Sequence, residues 1–231
     1  MDLIQKLAQM GGQTVSDVEL GLINKQTMRP LAAAEVFTFR VAACGTEIDR
    51  DNERFTEATL YEMAKQFVGK PVLRDHRWSA DAQTARVYGA EVEAHGNEKR
   101  LVLRCYMLRD DMTASVIASI EAGILKEVSV GCSVKRAVCS VCGADKSKQS
   151  CAHIPGRTYN GKTCHVVLDG LADSYEISLV AVPAQPGAGV VKKYGGENAP
   201  GEEAPEADAA ALRLRLTGAA IKMHESEEHT A

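Results

Sequence analysis

The stretch Gly123-Ile-Leu-Lys-Glu-Val-Ser-Val-Gly-Cys-Ser-Val134 is where the chain declares its architecture. Its β-branched residues read as a short strand, with Ser129 held two residues before Gly131. Directly downstream come Cys139-x-x-Cys142 and Cys151-x-His153. A strand then resumes at Tyr175-Glu-Ile-Ser-Leu-Val180 and carries Glu176. A serine strand, a Cys/His insertion and a carboxylate-bearing strand thus follow one another, and function turns on whether they meet.

Working outward, Glu35–Cys44 alternates apolar positions and reads as the first strand of the body. Thr56 is a good N-cap for a helix over 57–67, because Leu60, Met63, Ala64 and Phe67 repeat at helical spacing and Gly69 and Pro71 stop it. Pro71 to Arg74 then forms a short strand that ends near His76. Residues 84–93 and 100–108 alternate around a Gly96-Asn97 turn and read as a hairpin. Asp110-Asp111 opens a helix over 112–122. Residues 1–34 read as an N-terminal arm, with a short amphipathic helix over 1–10 and no clean period over 13–34. The body spans 35–190, with an insert at 137–166. Residues 191–231 read as an acidic, Pro/Gly-rich disordered linker followed by a short C-terminal helix.

The chain has 231 residues, 45% hydrophobic and 25% charged, which suits one soluble globular domain with an appendage. A net charge of −4 argues against nucleic acid as a partner. No apolar run approaches the ~18 residues of a membrane span, and the N-terminus lacks the pattern of a signal peptide, so a reducing cytosol is expected. Four of the seven cysteines, Cys139, Cys142, Cys151 and Cys164, cluster within the insert. In a reducing compartment such clustering points to metal rather than disulfides. Cys44, Cys105 and Cys132 sit in apolar strands and read as small core residues.

Three residues are candidates for catalysis. His76, beside Asp75, has the ring chemistry of a general base near neutral pH, though a surface loop histidine looks the same in sequence. Ser129 can act as a nucleophile if a base and oxyanion donors adjoin it, and Gly131 would let backbone N–H groups approach a carbonyl. Ser133, two residues on and on the same strand face, competes with it. Glu176 lies in an apolar strand and needs either a partner or a solvent-facing position. The second nitrogen of His76 would suit it, with Asp173 as the nearby alternative.

The insert supplies Cys139-x2-Cys142-x8-Cys151-x-His153, three thiolates and an imidazole, the donor set of a closed tetrahedral zinc site. Cys164 is the rival for the fourth place and His165 a weaker one. A closed site leaves no position for a reacting water, so the zinc is expected to be structural and not required for catalysis.

Together, Asp-His76 after Gly-Lys-Pro, Ile-Leu-Lys-Glu-Val-Ser129-Val-Gly and Tyr-Glu176-Ile-Ser-Leu-Val-Ala-Val-Pro-Ala-Gln-Pro resemble the prohead maturation proteases of tailed bacteriophages. The resemblance covers roughly residues 35 to 190, and is narrower toward members with a cysteine-rich insert. It implies an α+β fold, a compact β-barrel flanked by helices and similar to the herpesvirus assembly protease (assemblin). It also implies a serine endopeptidase that cleaves scaffold and major capsid protein extensions, and itself, as a homo-oligomer inside the procapsid in the host cytoplasm. The family's serine falls on Ser129, its histidine on His76 and its third member on Glu176. The insert is longer than in simpler members, and Cys132 stands where an aromatic is common. Two other functions fit the same sequence: a non-catalytic capsid-assembly or scaffold protein, and a zinc-ribbon binding module using Lys135, Arg136, Lys146, Lys148 and Arg157.

Overall fold

The computed structural model describes residues 15–191. The chain divides into Met1–Lys193 and Tyr194–Ala231. The helix read over 1–10, and the linker and terminal helix read beyond Val191, lie outside the described residues.

The fold is α+β. Its ten strands among the described residues are β1 (Val36–Gly45), β2 (Glu53–Phe55), β3 (Pro71–Arg74), β4 (Ala85–His95), β5 (Glu98–Leu108), β6 (Val128–Cys139), β7 (Thr158–Tyr159), β8 (Lys162–Thr163), β9 (Val166–Leu179) and β10 (Gly189–Val191). Three helices accompany them: α1 (Asp17–Asn24), α2 (Glu57–Phe67) and α3 (Ala114–Glu121). Eight strands form one mixed sheet in the order β10-β1-β5-β4-β3-β9-β2, with β6 paired to β9. β7 and β8 form a separate hairpin within the insert.

α2 forms for the reasons its sequence gives. Thr56 Oγ1 accepts from the Thr59 N–H at 3.2 Å, and Glu57 sits in the first turn, favourable to the helix dipole. Leu60, Met63 and Phe67 are fully buried, each worth about 1.5–3 kcal/mol of transfer free energy. They meet Val116, Ile117 and Ile120 of α3 and the apolar faces of β1, β5 and β9 in one core.

β9 is the spine of the molecule. β6 pairs with it antiparallel along its whole length, from Val128 opposite Leu179 to Cys139 opposite Val166. β2 and β3 pair with it in parallel near its two ends. Between those short partners, α2 side chains take over the ladder. The N–H groups of Gly170, Leu171 and Ser174 donate to Thr59 Oγ1, Glu62 Oε2 and Gln66 Oε1 at 2.9, 2.6 and 3.1 Å. Burying those donors unpaired would be costly, so the helix is fixed against the strand by polar as well as apolar contacts.

The structure corrects two expectations. The ladders do not close into a barrel. β6 and β10 approach at one isolated bridge, Glu127–Gly189, where the Val190 N–H donates to the Lys126 carbonyl at 2.6 Å. β10 is only three residues long and pairs in register with β1, so no second ladder forms there. The arm over 13–34 also contains a helix. Ser16 and Glu19 make a reciprocal capping box at the start of α1. Ile23, Leu31, Val36, Tyr88 and Tyr106 form a second, smaller core beneath it, and Tyr88 O–H donates to Glu19 Oε1 at 2.9 Å. α1 is short and buries one residue of its own, which is why no period was visible.

Candidate functional site

β3 ends at Arg74, and the chain reverses over Asp75 and His76, both at positive φ (54° and 52°), with the Arg77 N–H donating to the Arg74 carbonyl at 3.1 Å. Two successive left-handed central residues are the pattern of a type I′ turn, which ordinarily takes Asn-Gly. Holding a histidine there costs of order 1–3 kcal/mol, so the surroundings must over-determine it. They do. The Asp75 N–H donates to the Leu179 carbonyl at 3.0 Å, and the His76 N–H donates to Ser178 Oγ at 3.1 Å.

The turn brings the half-exposed His76 ring against Glu176. His76 Nδ1 lies 2.7 Å from Glu176 Oε1, and the Glu176 side chain is 2% exposed. Its other oxygen, Oε2, accepts from the Ser178 hydroxyl at 2.6 Å. Both carboxylate oxygens are therefore engaged, as burial requires. The room for this carboxylate comes from Gly131, which pairs with Glu176 across the ladder. A Cβ at position 131 would meet Glu176 Oε1 at 2.3 Å. Gly131 thus leaves space for the carboxylate.

Ser129 lies directly opposite Ser178 in the β6–β9 ladder, so the two share a sheet face with Glu176 and Gly131. Among the described residues Ser129 Oγ makes no hydrogen bond, and the Ser129–His76 bond is not formed. The two competitors are occupied. Ser133 Oγ accepts from Tyr175 O–H at 2.8 Å, and Asp173 faces Lys70 Nζ at 3.6 Å on the surface. The structure thus joins His76 to Glu176, sets Ser129 two positions along the same face, and leaves Ser133 and Asp173 elsewhere. Ser178, which binds both His76 and Glu176, was missed. The signal for it was the alternation Glu176-x-Ser178, which puts both on one face of a strand.

The Cys/His insertion begins where β6 ends. The Gly143 N–H donates to the Cys139 carbonyl at 2.9 Å, and Gly143 takes φ 74°, which closes the Cys139–Cys142 turn. The ligand atoms of Cys139, Cys142, Cys151 and His153 all lie within 4.8 Å of one another, so the cluster could hold a metal ion. Burial alone would raise the Cys139 thiol. Hydrogen bonds from the N–H groups of Cys142 and Val141 and from the neighbouring thiols outweigh it and bring the group down to about 6. His153 Nδ1 is buried with no hydrogen-bond partner among the described residues, which suits a ligand atom. Tyr159 steadies that loop: its ring meets the His153 ring edge-on at 4.6 Å, and its hydroxyl accepts from the Ile154 N–H at 3.0 Å. Cys164 Sγ lies 3.9 Å from Cys139 Sγ, so it too adjoins the cluster.

Of Lys135, Arg136, Lys146, Lys148 and Arg157, in and beside the insert, three are engaged. Arg136 pairs with Asp169, Lys148 Nζ lies 3.8 Å from Asp145 Oδ2, and Lys146 Nζ donates to the His153 carbonyl at 2.9 Å. Among the described residues no helix is long and apolar enough to cross a membrane. No known protein family, no curated protein and no solved structure matches the chain.

Proposed function

We propose that the chain is a serine endopeptidase in which Ser129 is the nucleophile, His76 the general base and Glu176 the group that orients it. The observation that carries this reading is the 2.7 Å contact between His76 Nδ1 and the buried Glu176 carboxylate, whose second oxygen is satisfied by Ser178. A carboxylate that accepts from Nδ1–H fixes the tautomer with Nε2 free to take a proton. Nε2 takes the proton of Ser129 Oγ as that oxygen attacks the peptide carbonyl. The resulting imidazolium is stabilised by Glu176 and returns the proton to the leaving amine. Ser178 holds both partners of this pair.

The motifs around His76, Ser129 and Glu176 narrow the reading to prohead maturation: cleavage of scaffold and major capsid protein extensions, and of the chain's own tail, within a phage procapsid. We also assign zinc to Cys139, Cys142, Cys151 and His153, since thiolates with an imidazole favour that ion. The donor set leaves no open position, so its part is to hold the insert.

Ser129→Ala tests the assignment. It is expected to lower processing of a co-expressed scaffold by roughly 10⁴-fold or more. Processing at the rate of the unaltered chain would rule out Ser129 and leave a non-catalytic assembly protein as the better account. Metal analysis of protein purified without chelator should find one zinc per chain, and Cys142→Ser should lose it.

A further inference from the structure

The chain has one tryptophan, and it is spent on the surface. Trp78 is 72% exposed, two residues after His76. Leaving an indole in water forgoes the largest apolar burial any side chain offers, so its position calls for a reason. Its ring lies 5.3 Å from that of Tyr175, at an interplanar angle of 56°. Tyr175 immediately precedes Glu176. The two aromatic rings are thus tied by one or two peptide units to the two members of the His76–Glu176 pair.

Tyr175 reaches this place by a break in the ladder. Glu176 pairs with Gly131 and Ser174 with Cys132, which leaves Tyr175 as the extra residue of a bulge in β9. Bulges of this kind re-aim a side chain. The Tyr175 hydroxyl is then held by its bond to Ser133. Together with Pro71, the nearly buried Leu73 and Glu176 itself, the two rings line a groove of about 410 Å³. That size suits a ligand-binding cleft. The one cation on its wall, Lys70, faces Asp173, so apolar and aromatic surfaces decide what enters.

We infer that this groove is the main specificity subsite, receiving one large apolar or aromatic side chain of an extended peptide next to the bond that is cut, with Trp78 and Tyr175 as the residues that select it. The inference rests on the endopeptidase reading and adds the substrate class to it. A side chain seated in the groove against these two touching rings has its own backbone within reach of His76, because both rings are close sequence neighbours of the His76–Glu176 pair. An acidic side chain would meet the Glu176 end of the groove and be rejected, since like charges brought together in a partly dry cleft repel.

The test uses the full chain and a proteome-derived peptide mixture, with cleaved bonds read by mass spectrometry. The unaltered protein should show large apolar residues enriched at one fixed position relative to the cut. Trp78→Ala should flatten that enrichment and lower kcat/KM by roughly tenfold to a hundredfold on a peptide with Phe at that position. On the matched peptide with Ala there, the loss should be at least about fivefold smaller, since that peptide has no large side chain to lose the contact. Trp78 is exposed, so the variant keeps its core. Absence of the enrichment, or an enrichment that survives Trp78→Ala, overturns the inference. If the unaltered chain cleaves nothing, the endopeptidase reading fails separately, and binding decides the groove. Tryptophan emission should shift saturably on titration with N-acetyl-phenylalanine amide and stay unchanged with N-acetyl-aspartic acid amide. A missing or equal response to the two compounds overturns the groove as an apolar side-chain site.

Discussion

A methyl group at position 131 would lie 2.3 Å from Glu176 Oε1, well inside contact distance. Gly131→Ala is therefore expected to push the carboxylate off His76 and to cost about 1–3 kcal/mol, as overpacking does elsewhere. Chemical denaturation should show the stability loss, and the His76 ring proton shifts should show the lost partner. Ser178→Ala removes the donor to Glu176 Oε2 and the acceptor for the His76 N–H. As a positioning change it should lower kcat roughly tenfold to a hundredfold with little effect on KM, and it should move the acid limb of the pH–rate profile. At this scale the sequence was partly legible. His76, Ser129 and Glu176 stood out because each is a reactive group in an apolar or strand context. Ser178 did not, because a serine in a strand has no property that distinguishes a hydrogen-bond hub from a spectator. Gly131 stood out because a missing side chain shows that something comes close, and the structure shows the Glu176 carboxylate there.

Elements divide by how much of their stability is local. α2 was readable residue by residue, since its cap, dipole charges and apolar stripe are all its own. The part it plays along β9 was not, because Thr59, Glu62 and Gln66 serve backbone groups more than a hundred residues away. Thr59→Val keeps the shape but leaves the Gly170 N–H unpaired in a partly buried place. It should cost about 1–3 kcal/mol and speed hydrogen exchange at Gly170. The insert is the opposite case. β7 and β8 are two residues each and bring little apolar material, so metal is what would order it. Chelation should open Cys142 to Lys162 to limited proteolysis while the exchange protection of β1 and β5 stays unchanged.

Across the whole molecule, Cys44 and Cys105 are buried core residues and Cys132 is partly buried against the same core. Burial raises the thiols of Cys44, Cys105 and Cys132, the last up to about 11, with Glu53 and Glu176 adding to it. A thiol held neutral in the fold but free to ionise when unfolded lends stability that is complete below its unfolded value of 9.0 and is lost as pH climbs toward about 11. Thermal melts should fall across that window, and less steeply for Cys132→Ala. The α+β class and the main strands along the chain were legible because each follows from local pattern, whereas their order in the sheet does not. The open sheet was not legible either. Closure depends on whether β6 and β10, separated by the insert and β9, meet along a ladder or at a point, and no local pattern encodes that.

The antiparallel union of β6 and β9 carries a further consequence. A slip of one residue would turn every buried side chain outward, and the core forbids it. A slip of two keeps each side chain on its proper face and is opposed only locally, where Gly131 leaves room for Glu176; Ser129 would then stand opposite Glu176 or Val180 instead of Ser178. The tight turn that fixes alignment in an ordinary hairpin is absent here, because a long excursion separates Cys139 from Val166. A metal clasp gripping Cys139 at the foot of β6 would supply the missing alignment gauge. An ion held there would thereby help keep Ser129 opposite Ser178, ten residues away along the same strand.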